Sequence, residues 1–153
     1  MYLPATKRVA KPVAARPVHT FLPRSIMRDL LLVGSGGFVG SVARYLLSGA
    51  VTQASAAARF PLGTLAVNTL GCLVIGALAG LAEHSGAFSS ATRLLIFTGM
   101  IGGFTTFSAF AYETYFLARE HAWLLAAGSV AAQVLLGLVA VWAGHQAAAL
   151  SAG

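Results

Sequence analysis

The chain has 153 residues, 58% of them hydrophobic and only 9% charged, and its mean hydropathy is +0.79. An ordinary soluble domain is about one quarter charged, so a water-dispersed globule is excluded, and the length allows a single domain. The formal charge of +6 is concentrated at one end: Lys7, Arg8, Lys11, Arg16, Arg24 and Arg28 all precede the first acid, Asp29.

Residues 1–28 read as a basic tail. Pro4, Pro12, Pro17 and Pro23 prevent one continuous helix there. Its charge suits anionic lipid headgroups, at about 1 kcal/mol per basic residue near the surface. Nucleic acid is not the expected partner, because no aromatic or folded basic platform accompanies the charges. No apolar run precedes a cleavage site, as a secretory signal requires. An Arg-rich, acid-poor segment also suits mitochondrial targeting, but such peptides are amphipathic helices and the prolines oppose that. Met27 stands directly before Arg28, Asp29 and the first apolar run, so residues 1–26 are either a disordered tail or an over-long start.

Residues 29–150 form the membrane domain. Four apolar runs follow one another, at about 30–51, 62–82, 91–112 and 122–149. Each is long enough to cross a hydrocarbon core of about 30 Å at 1.5 Å per helical residue. The predicted class is therefore an all-α membrane protein with four spans. Short links place consecutive spans side by side and antiparallel, and an even number puts both termini on one face. Positive charge marks the cytoplasmic face. Without the tail, Arg28 and Arg93 on one face balance Arg59 and Arg119 on the other, so the tail decides whether the N-terminus is fixed inside.

Glycines recur four apart in three spans, at Gly36 and Gly40, Gly76 and Gly80, and Gly99 and Gly103. Such stripes let helix backbones approach closely. Four helices bury little among themselves, so a homo-oligomer is expected.

Polar groups inside apolar spans are costly and mark function or packing. In span one, Arg44 either reaches towards headgroups or lines a water-filled vestibule. In span two, Asn68 either hydrogen-bonds a neighbouring helix or donates its amide to a passing anion. Span three contains Gly99-Met100-Ile101-Gly102-Gly103-Phe104-Thr105-Thr106-Phe107-Ser108-Ala109-Phe110. Its glycine pair and three hydroxyls disfavour a regular helix, and a helix broken at mid-membrane is tolerated only when buried in protein or lining a cavity. Phe107 and Phe110 share a helical face. Such phenylalanines ordinarily pack; beside a hydroxyl-rich break, their electropositive edges also suit a small anion. In span four, Ser129 and Gln133 share a face, and either bond another helix or line a polar track. Cys72 is alone and reads as a packing residue.

No enzyme is expected. His19, Cys72, His84, His121 and His145 are scattered without metal-ligand spacing. Ser108 has no histidine nearby in sequence, and no phosphate-binding glycine loop is followed by lysine.

Three stretches together resemble one known family, the CrcB/Fluc fluoride channels. They are Gly36-Gly37-Phe38-Val39-Gly40-Ser41-Val42-Ala43-Arg44-Tyr45, Phe60-Pro61-Leu62-Gly63-Thr64-Leu65-Ala66-Val67-Asn68-Thr69-Leu70-Gly71, and Gly102-Gly103-Phe104-Thr105-Thr106-Phe107-Ser108-Ala109-Phe110. The resemblance covers residues 28–148 in span count and order. It implies an antiparallel, dual-topology homodimer in the inner (plasma) membrane, with two pores that export fluoride passively and relieve its toxicity. By resemblance, Asn68 is the pore asparagine, Phe107 and Phe110 face the ion, and Thr106 and Ser108 supply hydroxyls. The carbonyls of Gly102 and Thr105 from each subunit would hold a structural sodium ion. Arg44 matches a vestibule arginine, and Glu113 an acid after the third motif. Ala109 departs from the family's common threonine. Ser129 and Gln133 are candidates without a secure alignment. The alternatives are a small proton-coupled multidrug transporter, which needs an acid embedded in span one where this chain has only Asp29 at the edge, or a structural subunit of a membrane complex.

Overall fold

The computed structural model describes residues 24–85 and 88–151, so most of the basic tail and His19 lie outside the described residues. Helix α1 runs Arg24–Ala54 and α2 runs Leu62–Ser85. The third span is composite: α3 (Ser90–Arg93), a π-helical run (Leu94–Ile101), α4 (Gly102–Phe104) and α5 (Phe107–Arg119). Helix α6 is Trp123–Ser151. Four stretches are long and apolar enough to cross a membrane, namely Ser25–Ala54, Leu62–Glu83, Ser90–Arg119 and Trp123–Leu150.

The apolar runs set the helices, and local chemistry sets their ends. Helix α1 begins at Arg24. This starts the helix earlier than the apolar run itself, which begins at Leu30. Ser89 caps α3, accepting a bond from the Thr92 N–H at 3.2 Å. Helix α5 closes with two nested bonds, Ala122 N–H to Leu117 O (2.9 Å) and His121 N–H to Ala118 O (3.1 Å). That is a Schellman end, and its left-handed residue is His121, at φ 58°.

The spans associate in two tight pairs, α2 with α6 and α1 with the first half of span three. Spans two and three touch only slightly, although they are consecutive in the chain. Glycine explains the pairing. A Cβ on Gly76 would collide with the Val141 backbone, and one on Gly144 with the Leu73 backbone. Between α1 and span three, a Cβ on Gly103 would lie 2.6 Å from the Gly37 carbonyl oxygen, and one on Gly99 would lie 2.9 Å from that of Val33.

The break in span three falls at Thr105 and Thr106, both extended (φ −86°, ψ 158° and φ −150°, ψ 111°). It lies inside the segment 99–110 that the sequence marks as a poor helix, at its hydroxyls, while Gly102-Gly103 stay helical. Gly103 packs on α1, where a Cβ would crowd the Gly37 backbone, whereas a Cβ on Gly102 would meet only the Phe97 carbonyl of its own span at 3.9 Å. The threonines part the chain with their own hydroxyls. Thr105 Oγ1 donates to Ile101 O at 3.1 Å, and Thr106 Oγ1 accepts from the Ala109 N–H at 3.2 Å, capping α5.

The interior is narrow. Val67 and Ser129 are fully enclosed, whereas Tyr45, Leu124 and Leu138 project outward from α1 and α6. An apolar outer surface of this kind suits lipid or another copy of the chain.

Candidate functional site

The break leaves backbone groups that a helix would have paired, and a neighbouring span pairs them. Asn68, in the second turn of α2, accepts the Thr106 N–H on Oδ1 at 2.8 Å, and its Nδ2 donates to the Thr106 carbonyl at 3.0 Å. The side-chain amide thus meets the main chain as a neighbouring strand would. Asn68 Nδ2 also donates to Gln133 Oε1 at 3.1 Å, which brings in α6. Gly71, one turn further along α2, leaves room for the Thr105 side chain, which a Cβ there would strike.

A cavity of about 360 Å³ opens beside this junction, lined by Asn68, Gly71, Cys72, Ile75, Ile101, Thr105, Thr106, Phe107, Phe110, Gln133 and Val134. Among the described residues, no charged side chain lines it. Phe107 and Phe110 meet edge to face across its wall, with centroids 5.4 Å apart and planes at 70°. Phe107 is 77% exposed, so much of its ring lies on the protomer's surface. Ser108 is also exposed, and its Oγ lies 3.2 Å from Thr106 Oγ1.

On the other side of Thr106 lies a second cavity of about 490 Å³, lined by Ser41, Arg44, Tyr45, Ser48, Gly49, Thr52, Gln53, Thr64, Val67, Thr106, Ala109 and Glu113. Thr106 is the one residue common to the two linings. Arg44 borders this second cavity and turns its Nε to the Gly103 carbonyl at 3.1 Å; Ser41 Oγ reaches the same oxygen at 3.4 Å. Both donors thereby serve the carbonyl end of α4, where helix carbonyls lack partners and partial negative charge gathers. Glu113 Oε1 accepts from Thr64 Oγ1 at 2.7 Å, while Glu113 Oε2 is buried without a partner among the described residues.

The structure brings Asn68, Thr105, Thr106, Phe107, Phe110 and Gln133 to one cavity and Arg44 and Glu113 to the other. It does not bring Ser129 to either of these two. Ser129 is 1% exposed and pairs with Thr114 Oγ1 at 3.1 Å, tying α6 to α5. The carbonyls of Gly102 and Thr105 flank the break, and among the described residues neither accepts a hydrogen bond. Two residues that sequence reasoning left out of the site are Thr64 and Ser41. Thr64 had a signal: it precedes Asn68 by four residues and so shares its helical face.

Comparison with known proteins then decides the family. A family model described as "CrcB-like protein, Camphor Resistance (CrcB)" matches residues 31–145. The chain belongs to the CrcB family. Among its relatives, the fluoride-specific ion channel FluC of Methylobacillus flagellatus is 50% identical over 120 residues, covering 78% of this chain and 94% of that one. The FluC of Geobacter sulfurreducens is 45% identical over 122 residues, covering 80% and 98%. The FluC of Nitratidesulfovibrio vulgaris is 43% identical over 118 residues, covering 77% and 94%. This CrcB-family chain is accordingly a multi-pass membrane protein and not an enzyme.

Proposed function

We propose that this chain is a fluoride-selective channel that lets fluoride leave the cell passively across the plasma membrane and so relieves its toxicity. The observation that carries the reading is the break at Thr105-Thr106. It lies between two cavities, is held by Asn68, and is flanked by the edge-to-face pair Phe107 and Phe110. Fluoride is small and strongly hydrated. A path for it must replace water with amide, hydroxyl and aromatic-edge donors, without a fixed cation that would hold the ion too tightly. The cavity around Asn68 has such donors and no charged lining. The names of the relatives, fluoride-specific ion channels, point the same way.

In this reading the working unit is an antiparallel pair of copies. Phe107 lies mostly on the protomer's surface, where a second copy would complete its surroundings. A sodium ion would be held by the Gly102 and Thr105 carbonyls of both copies, offsetting their lost helical partners; these oxygens have the chemistry a hard cation requires. Glu113 and Arg44 shape the second cavity.

The test is fluoride efflux from liposomes containing the purified protein, followed with a fluoride electrode and a potassium ionophore. Electrogenic fluoride flux that greatly exceeds chloride flux is expected. Phe107→Leu and Phe110→Leu should each lower it roughly tenfold or more, about the loss of one strong ion contact. Absent fluoride flux, or equal chloride flux, would sink the reading. Replacing sodium by a bulky organic cation should lower the melting temperature of the detergent-purified protein. An unchanged melting temperature would remove the sodium site.

A further inference from the structure

The hydrogen bonds at the break have a direction that geometry alone fixes. A backbone N–H can only donate, so the atom of Asn68 that faces the Thr106 N–H at 2.8 Å must be its oxygen. The other arm of that amide is then the NH₂ group. Its two hydrogens go to the Thr106 carbonyl at 3.0 Å and to Gln133 at 3.1 Å. Asn68 therefore has no donor left for an ion. Because it donates to Gln133, the Gln133 atom facing it must be the carbonyl oxygen, and the other arm of Gln133 must be its NH₂. That Nε2 is buried and has no partner among the described residues. The side chain that carries it lines the same uncharged cavity as Phe107 and Phe110. A buried donor without an acceptor is rare in native proteins and calls for an explanation.

We infer that Gln133 Nε2 is the amide donor that contacts the ion in this cavity, and that Asn68 is a positioning residue that aims it. The inference rests on the channel reading above, with a small dehydrated anion as the ligand. The Thr106 peptide sets Asn68, Asn68 sets the Gln133 oxygen, and the Gln133 NH₂ is left facing an acceptor from outside the chain. One break between α4 and α5 in span three thus orients a donor on α6 in span four, through Asn68 on span two. An anion accepts from that N–H as the charge-assisted partner the protein itself lacks. The arrangement also discriminates by charge sign. The free arm is an N–H donor, so a cation finds no lone pair there.

Two measurements test this. Gln133→Met keeps the length and removes the donor; its fluoride efflux should fall roughly tenfold or more, the effect of losing one hydrogen bond to a charged group, with helicity and oligomer size unchanged. The second measurement needs no substitution. The chain has three glutamines, Gln53, Gln133 and Gln146, so glutamine-selective ¹⁵N labelling resolves the side-chain amides by NMR. Titrating sodium fluoride into the purified protein should shift the Gln133 resonance, while sodium chloride should not. In Asn68→Asp, which keeps the acceptor for Thr106 but cannot donate to Gln133, the Gln133 response should need several-fold more fluoride. If wild type carries fluoride while Gln133→Met keeps its flux within twofold, or the Gln133 amide ignores fluoride, the inference is wrong and the channel reading stands. If wild type carries no fluoride, the channel reading itself fails. A Gln133 amide that titrates in Asn68→Asp as in wild type would remove the positioning role of Asn68 alone.

Discussion

A guanidinium inside an apolar helix needs an acceptor, and Arg44 finds one at the end of another helix. Its bond to the Gly103 carbonyl could not be read from span one, because the acceptor exists only once span three has broken. Asn68 was legible as an unusual residue for its place, but its partners were not, since both belong to segments far along the chain. Thr64 and Glu113 form a pair of the same kind, 49 residues apart. The sequence shows which side chains have to satisfy themselves; the fold shows with what. One residue makes a prediction by its backbone alone. His121 sits at φ 58° in the Schellman end of α5, where a side chain is disfavoured. Its ring contact with the exposed Trp123 is long, 6.3 Å between centroids, and offsets only part of that cost. His121→Gly should therefore stabilise the protein by about 0.5–1 kcal/mol, measured as a higher melting temperature in detergent. A lower one would show that the ring contact matters more than the turn.

At the level of helices, the four spans were legible from hydropathy, and all three glycine pairs of the sequence lie at real close approaches. What hydropathy could not give was which helices those glycines join. The answer is α1 with the π-helical run and α4, and α2 with α6, because only there do two small-residue stripes face each other. The break lies within the segment that propensity marks, at Thr105 and Thr106, but hydropathy and propensity did not single out those two residues within it. Gly76 and Gly49 separate the two uses of glycine. A Cβ on Gly76 would meet the Val141 carbonyl carbon at 2.9 Å, main chain that cannot swing aside, whereas one on Gly49 meets nothing within 4 Å. Gly76→Ala should destabilise by about 1–3 kcal/mol through forced separation of α2 and α6. Gly49→Ala should be neutral or stabilising by up to about 1 kcal/mol through lower unfolded-state entropy. Thermal melts of the two variants side by side check this, and equal losses would overturn it.

For the molecule as a whole, the charges near the spans are sparse and largely paired. Arg59 meets Glu120 at 2.8 Å on one face, and Glu83 meets His145 at 3.0 Å on the other. Such exposed pairs add little stability, and they leave little charge bias to orient insertion. The prediction is that a chain started at Met27 inserts in both orientations about equally, as the antiparallel pair requires, and that the basic tail of the full chain shifts this mixture towards a cytoplasmic N-terminus. Labelling of a single cysteine placed at Ala57, in a Cys72→Ser background, from outside intact cells reads this directly; the same mixture in both chains would show that the tail is not the determinant. The two cavities have an electrical consequence of their own. They meet only at Thr106, and water is a far better conductor of field than the surrounding hydrocarbon. In the channel reading, where the two cavities are wet and open to opposite faces, the membrane voltage is not spread along the bundle but falls chiefly across one peptide unit. In that reading, an ion stepping past Thr106 crosses most of the electrical distance in a single move, worth about 2.3 kcal/mol per unit charge at 100 mV. Voltage would act on that step and hardly on the approach to it.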